Sequence, residues 1–243
     1  MSEWWENFFD DVYGDLILHT FDAQETKDSV NFIVNRFSIN ETTKLYDQCC
    51  GKGSMSLPLL EKTPYIYGCD IIPSYIKAIK SQTSKGHFVA ADAREYVPDE
   101  AMDLVINWHT SFGYSREHSD NLKMIEAAYQ SLKKDGVFLM EYINFEYVIK
   151  NFKKTMTQEK DINGEHLTVV RECFLEDGML KQNWRINGKP EWEKFGETKI
   201  YFIDELLEAF KRVGFKDIEV FFSLKEENNT KIRSPKLYLL AIK

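Results

Sequence analysis

The stretch Lys44-Leu-Tyr-Asp-Gln-Cys-Cys-Gly-Lys-Gly-Ser54 decides the fold of this chain. It predicts a short apolar strand ending in a carboxylate, then a glycine turn, then a helix. Gly51 and Gly53 have no β-carbon, so the backbone turns sharply there and comes close to a ligand. Asp70 follows Gly51 by nineteen residues, where the next parallel strand ends and a carboxylate meets ribose hydroxyls. The pattern predicts a nucleoside-binding site.

Two nucleoside cofactors compete for this turn. A dinucleotide site has the pattern G-x-G-x-x-G, but Ser56 occupies the third glycine position, which normally permits close helix–strand packing. Asp47 stands just before the turn, and its carboxylate repels a pyrophosphate and attracts a cationic or amino-bearing ligand. S-adenosylmethionine carries a sulfonium and an α-amino group without any phosphate. The chemistry therefore favours S-adenosylmethionine, with NAD as the alternative.

The run from Leu45 to Ser54 resembles motif I of class I S-adenosylmethionine-dependent methyltransferases, an acidic residue followed by a glycine-rich turn. Cys49 stands where the first glycine of that motif falls, and small-molecule members such as sugar N-methyltransferases also have a small non-glycine residue there. The resemblance implies that Asp47 binds the amino group of the cofactor. It also implies that Cys49, Gly51 and Gly53 lie against the cofactor.

Two further segments resemble later motifs of the same family and follow in the family's order. Asp70 and Ile71 match the positions that bind the ribose and pack on the adenine. Asp92 and Ala93 match the segment that contacts the adenine edge. Asp92 on its own suits a helix cap equally well.

The segment from Met102 to Tyr114 resembles the fourth strand of these enzymes and the loop after it. We expect Asn107 and Trp108 in the crevice at the carboxyl end of this strand. Asn107 is predicted to contact the cofactor and Trp108 the substrate. His109 is expected to act either as a catalytic base or as a hydrogen-bonded residue in the pocket wall. Tyr114 either orients the methyl acceptor through its hydroxyl or packs in the loop.

Three residues outside these motifs complete the expected site. Tyr142 and Asn144, after the fifth strand, are candidates for the wall of the substrate pocket. Tyr13 lies in an N-terminal segment that resembles the helix which closes over the cofactor in related small-molecule enzymes. The alternative for Tyr13 is a place on the buried apolar stripe of that helix.

Composition limits the class of protein and its partners. The chain has 243 residues, of which 43% are hydrophobic, enough for one large α/β domain with a substantial core. A net charge of −8 opposes binding to nucleic-acid phosphates. The sequence contains neither a long uncharged apolar run nor the basic start of a secretory signal, so we expect a cytoplasmic protein without a membrane partner. The four cysteines have no C-x-x-C spacing, and no metal site is predicted.

Strands and helices alternate along most of the chain, which predicts a parallel sheet with helices on both faces. The predicted strands are 43–48, 65–70, 87–91, 102–108, 136–143, 215–223 and 235–242. The predicted helices are 2–20, 23–36, 54–61, 73–83, 119–132 and 203–213.

The sequence pattern changes between the fifth strand and the last helix. The dipeptides Asn163-Gly164, Asp177-Gly178 and Asn187-Gly188 are hairpin signals, since they tolerate the positive φ values of a tight turn. They predict an antiparallel meander of three or four strands. This arrangement resembles the lobe of glycine and amino-sugar N-methyltransferases, which roofs the substrate pocket or forms a dimer contact.

We therefore expect a Rossmann-like, doubly wound, mostly parallel seven-stranded sheet. Its parts would be an N-terminal helical lid at 1–40, a cofactor-binding core at 41–153 and 203–243, and an inserted antiparallel β lobe at 154–202. The expected reaction is in-line transfer of a methyl group from S-adenosylmethionine to nitrogen, or else oxygen, of a small molecule. The alternatives are an NAD-dependent oxidoreductase and a non-catalytic nucleoside-binding module. A homodimer is a further expectation.

Overall fold

The structure is a computed structural model that describes residues 3–16, 23–162, 165–225 and 234–243. The helices in these ranges are α1 (Trp4–Phe8), α2 (Asp11–Leu16), α3 (Ala23–Arg36), α4 (Ser56–Leu59), α5 (Pro73–Gln82), α6 (His118–Ser131), α7 (Phe145–Lys150) and α8 (Ile203–Val213). The strands are β1 (Leu45–Gln48), β2 (Ile66–Asp70), β3 (His87–Ala90), β4 (Met102–Asn107), β5 (Leu132–Ile143), β6 (Thr155–Ile162), β7 (Glu165–Glu176), β8 (Met179–Ile186), β9 (Lys189–Lys199), β10 (Lys216–Phe221) and β11 (Lys236–Ile242). The predicted Asn163-Gly164 turn and part of the predicted first helix lie outside the described residues.

The main sheet has seven strands in the order β10-β11-β5-β4-β1-β2-β3. Strand β11 runs antiparallel to both of its neighbours, and the other pairings are parallel. The predicted doubly wound, mostly parallel sheet is confirmed. The chain leaves β1 for β2 in one direction and returns to β4 on its other side, so a crevice opens at the carboxyl ends of these strands.

Helices cover both faces of the sheet and bury its apolar side chains. On one face, α3 and α5 contribute Ile33 and Ile79 to a buried cluster. On the other face, α6 and α8 contribute Ile125 and Phe210. Strands β1 and β2 are buried along their whole length, as expected for parallel strands between two helical layers. Within the described ranges, no helix has the length and apolarity needed to span a bilayer.

The N-terminal segment differs from the single helix that its apolar stripe predicts. It forms two short helices, because the carboxylate of Asp10 accepts a hydrogen bond from the backbone N–H of Tyr13 at 2.8 Å and caps the second one. A second difference is α7, which the sequence analysis missed. Asn144 caps it by accepting from the backbone N–H of Tyr147.

Strands β6 to β9 form a separate antiparallel sheet in chain order. Helix α1 lies directly on this sheet. A β-carbon at Gly196 would meet Phe8 and Trp4 side-chain atoms at 3.0 Å, so the missing side chain permits the close approach. Phe8 and Tyr13 share a buried cluster with Val169 and other residues of the four-stranded sheet. The N-terminal helices are therefore held against this sheet.

Candidate active site

A cavity of about 520 Å³ opens at the carboxyl ends of β1, β2 and β4, beside the N-terminal helices. The predicted site residues in its wall are Tyr13, Asp47, Cys49, Gly51, Gly53, Asp70, Ile71, Asp92, Ala93, Trp108, His109 and Tyr114. Predicted cofactor and substrate residues thus lie around one space. In the part of the chain that the structure describes, no group of three or more His, Cys, Asp or Glu side chains is arranged to hold a metal ion.

The glycine turn, where the sequence predicts the cofactor, forms part of the cavity wall. Gly51 and Gly53 have φ values of 56° and 86°, and Cys49 has a φ of 63°. The left-handed conformation of Cys49 explains why the corresponding motif position usually holds glycine. The backbone N–H of Gly51 donates to Asp70 Oδ2 at 2.9 Å. Asp70 thereby ties the turn to the end of β2.

Asp47 is buried beneath this turn. Its Oδ2 accepts a hydrogen bond of 2.6 Å from the hydroxyl of Ser56. Burial raises the pKa of Asp47 to about 7, with a further contribution from the nearby Asp70, while the Ser56 hydrogen bond opposes the rise. A buried carboxyl with such a pKa becomes ionised when a cation binds beside it. Asp47 is thus suited to an ammonium or sulfonium group.

Asp92 lines the cavity, but its carboxylate already has a partner. It accepts hydrogen bonds from Nε and Nη2 of Arg94 at 2.9 and 2.6 Å. Burial opposes ionisation, yet Arg94 holds the pKa of Asp92 below its usual value. The guanidinium also lies 5.3 Å from the ring centre of Trp5. An adenine amino group at this position would therefore meet a carboxylate engaged with Arg94.

His109 and Thr110 form a strained turn after β4. Both have a φ of 57°, a conformation that non-glycine residues seldom adopt and that is concentrated at functional sites. Burial, with a smaller effect of Lys236, lowers the pKa of His109 to about 3. The imidazole is therefore neutral near pH 7. An imidazole with such a low pKa binds a proton too weakly to act as a general base. It is better suited to hydrogen bonding in the wall of the cavity.

Aromatic rings from α1, the segment after it and the loop after β4 form a further part of the cavity wall. Trp5, Phe9 and Tyr114 all line the cavity. The ring of Tyr114 stacks on Phe9 at 5.7 Å and meets Trp4 edge-on at 5.1 Å. The sequence analysis assigned neither Phe9 nor Trp5 to the site. Their helical spacing is also the pattern of ordinary core residues, so it carried no signal for a ligand.

Trp108 adds a polar group to this cavity. Its side chain is buried, and its indole N–H has no hydrogen-bond partner among the described residues. A buried donor without a partner is uncommon in folded proteins. This donor therefore belongs to a residue of the cavity wall.

Three predicted site residues do not reach the cavity. The amide of Asn107 lies below the floor, where its Nδ2 donates to Gln48 Oε1 at 3.1 Å. The hydroxyl of Tyr142 donates to the backbone carbonyl of Lys199. Asn144 caps α7, and its Nδ2 donates to the carbonyl of Ser234 at 2.8 Å. In each case a partner distant in sequence fixes the side chain.

Comparisons with known proteins agree with this geometry. Residues 45–136 match the family described as a methyltransferase domain. YqeM of Bacillus subtilis (strain 168), which carries a provisional methyltransferase name, is 22% identical and aligns with 86% of this chain and 85% of its own. Glycine/sarcosine N-methyltransferase of Aphanothece halophytica is 22% identical, covering 80% of this chain and 74% of that protein.

The fold is shared with solved methyltransferases. An S-adenosylmethionine-dependent methyltransferase from Clostridium acetobutylicum has a TM-score of 0.77 at 16% identity, covering 95% of this chain and 96% of that chain. A carboxylate-flanked glycine turn on this sheet, matched to a methyltransferase domain, defines the class of protein as a Rossmann-like methyl-transfer enzyme. With a methyltransferase domain over residues 45–136, the chain is an S-adenosylmethionine-dependent methyltransferase, and S-adenosylmethionine is its methyl donor. Its fold is similar to that of the class I enzymes. This identification replaces the NAD-dependent alternative.

Proposed function

We propose that this methyltransferase transfers the methyl group to a nitrogen atom of a small-molecule amine. The observation that carries the proposal is the aromatic part of the cavity wall, formed by Trp5, Phe9 and Tyr114. In methyl transfer to an amine, positive charge passes from the sulfonium to the acceptor nitrogen. Aromatic faces attract such a cation throughout the transfer. The N-terminal helices beside the cavity would exclude water while donor and acceptor are aligned.

The acid–base character of the wall also favours nitrogen over oxygen. A hydroxyl acceptor must lose its proton to a base, whereas a neutral amine attacks without one. The pKa of His109, lowered to about 3 by burial, makes its imidazole a weak base. Burial raises the pKa of Tyr114 well above its usual range, so its phenol stays protonated. The wall thus holds poor bases near pH 7.

The size and charge of the acceptor follow from the cavity and the chain. A cavity of about 520 Å³ must hold both the methyl donor and the acceptor, which favours a metabolite-sized molecule. The net charge of −8 disfavours a nucleic-acid acceptor. The name of the Aphanothece halophytica relative, an N-methyltransferase of glycine and sarcosine, supports a small amine.

The proposal is tested by acceptor profiling. The protein is incubated with methyl-labelled S-adenosylmethionine and pairs of amines and alcohols of equal size, and S-adenosylhomocysteine is measured. We expect label in the amine products, and no turnover by an Asp70→Ala variant that has lost the tie to Gly51. Turnover confined to alcohols would overturn nitrogen transfer. Tight cofactor binding without turnover of any acceptor would favour the non-catalytic alternative.

A further inference from the structure

Arg171 is a partly buried arginine on β7, an inner strand of the four-stranded sheet. It lies on β7 between Val169 and Cys173, which are both buried on the same face of the strand. Val169 belongs to the cluster around the N-terminal helices, and Cys173 belongs to the main core cluster. Arg171 therefore lies where this sheet, the N-terminal helices and the main core come together.

The partners of the Arg171 guanidinium are not acids. Its centre lies 4.9 Å from the ring centre of Trp184, and its Nη2 donates to the sulfur of Met156 at 3.1 Å. Within the described ranges, no carboxylate forms an ion pair with Arg171. The partly buried Arg94 differs, because it pairs with Asp92 at 2.6 Å. A thioether and an indole ring compensate a buried positive charge poorly.

Tyr13 connects this unpaired cation to the active site. The ring of Tyr13 lines the cavity and lies 6.0 Å from the ring of Trp184. The charge of Arg171 also acts on the Tyr13 phenol. Arg171 does not itself line the cavity, and Tyr13 is a cavity residue with which it interacts. The Tyr13 ring also packs edge-on against Phe9, another residue of the cavity wall, with the ring centres 5.1 Å apart.

We propose that Arg171 binds an anionic group of the methyl acceptor, a carboxylate or a phosphate. The inference rests on the proposed function, and it narrows the acceptor class to amines that carry such an anion. The planar guanidinium donates two parallel hydrogen bonds to either group, and these are strong where water is excluded. A binding site for a charged ligand also explains why a costly unpaired charge is present in this sheet.

The first test compares matched acceptors. β-Alanine is paired with propylamine, and phosphoethanolamine with ethanolamine, so each pair differs by one anionic group. We expect the wild-type enzyme to prefer at least one anionic member. Arg171→Met should raise the KM for that member by about thirtyfold and leave neutral amines and S-adenosylmethionine affinity unchanged. Arg185→Met is the matched control, because Arg185 lies on the neighbouring strand and pairs with Glu172.

Thermal unfolding separates binding from a purely structural role. Methionine retains the apolar packing on Trp184 and removes an uncompensated charge, so Arg171→Met should keep or raise the melting temperature. An arginine that only supports the sheet would lower it. Arg171→Lys keeps the charge without the planar fork, and we expect it to recover only part of the affinity.

Anion binding is also measured without turnover, with propionate and inorganic phosphate as probes on the protein saturated with S-adenosylhomocysteine. We expect at least one probe to stabilise the wild type and to lose its effect in Arg171→Met. Equal stabilisation of both proteins, or of neither, would overturn the role of Arg171 even if neutral amines are methylated. Arg171-dependent stabilisation without turnover of any amine would instead contradict the proposed nitrogen transfer.

Discussion

The carboxylate of Glu141 accepts a hydrogen bond from the backbone N–H of His109. Glu141 is buried on β5, and its Oε2 lies 3.2 Å from Nζ of Lys236 on β11. Burial raises the pKa of Glu141, and Lys236 opposes the rise. This pair lies beside the left-handed residues His109 and Thr110. A paired buried charge therefore helps to hold a strained turn at the cavity wall.

Replacing Glu141 should reduce the stability of the protein. Glu141→Leu leaves Lys236 without its buried partner and removes the acceptor for His109, so we expect a loss of about 2–3 kcal/mol in the free energy of unfolding. Glu141→Gln keeps an acceptor oxygen and should lose about 1 kcal/mol. Urea unfolding measures both, and Glu219→Gln at the exposed pair with Arg36 is the control. A Glu141→Leu protein as stable as the wild type would contradict the assignment.

Cofactor affinity should depend on pH through Asp47. Its pKa is about 7 in the folded protein, raised by burial. Because the cationic cofactor needs the ionised form, the Kd for S-adenosylmethionine should rise about tenfold per unit as pH falls below 7. Calorimetric titrations between pH 5.5 and 8.5 measure this slope. A Kd that does not change over this range would exclude ionised Asp47 as the ligand.

Ionisation of Asp47 should also reduce the free energy of unfolding of the unliganded protein, although the same ionisation strengthens cofactor binding. The folded pKa of Asp47 lies above its unfolded value, so the stability from the neutral carboxyl is complete below about pH 4 and is lost as pH rises through 7. Asp47→Asn keeps a neutral acceptor for Ser56 and removes this loss. We expect the variant to be more stable than the wild type at pH 8 and to bind S-adenosylmethionine weakly. Equal stabilities at pH 8 would contradict the raised pKa.

The sequence was sufficient to predict that Asp47, Gly51 and Asp70 lie around one cavity. Asp47, Gly51 and Asp70 were predicted because the spacing of a βαβ unit fixes where each strand ends. The aromatic wall was not predicted, since Trp5 and Phe9 show the same helical spacing as core residues. Their role depends on how the N-terminal helices pack against a sheet formed by residues far along the chain.

Tyr142 and Arg171 both show that sequence alone does not fix the partners of a side chain. Tyr142 was predicted in the site and does not reach the cavity, whereas Arg171 was not predicted. Tyr142 follows the rule that strand ends face the ligand, yet its hydroxyl binds the carbonyl of Lys199, fifty-seven residues away. Arg171 was not singled out at all. The sequence did contain an indication, because side chains two residues apart lie on the same face of a strand. Arg171 therefore shares a face with Val169 and Cys173, where a charged side chain is unexpected. Only the structure shows that no acid lies beside it within the described residues.

The left-handed conformation of Cys49 allows a test of the motif position. Its φ of 63° strains any side chain with a β-carbon, and a β-branched residue most of all. Cys49→Val should reduce the free energy of unfolding by about 2 kcal/mol, whereas Cys49→Gly should change it by less than about 1 kcal/mol. Urea unfolding with Cys49→Ala as the control separates branching from loss of the thiol. Equal losses for valine and alanine would rule out backbone strain as the cause.

The close contact between α2 and the glycine turn should require the missing side chain of Gly14. A β-carbon there would lie 2.6 Å from Cε of Lys52 and 2.8 Å from a ring carbon of Tyr75. Gly14→Ala should favour the helix itself but displace it from the turn, and we expect about tenfold weaker cofactor binding. Adding Lys52→Ala removes one of the two clashes. The double variant should therefore be weakened by less than the sum of the single effects, and strict additivity would contradict direct contact.

His109 should act as a neutral wall group throughout the working range of pH. Burial lowers its pKa to about 3, so its contribution to stability is complete above about pH 6.5 and is lost as pH falls toward 3. Carbon-13 NMR of labelled histidine should show one imidazole that does not titrate above pH 5 and that disappears in His109→Gln. Because glutamine still provides hydrogen-bonding groups, kcat should fall by no more than about tenfold, with an unchanged pH profile. His118→Gln, outside the cavity, controls for the substitution. A loss of more than a thousandfold, with the acid limb of the profile abolished, would instead establish His109 as the base and remove one argument for nitrogen transfer.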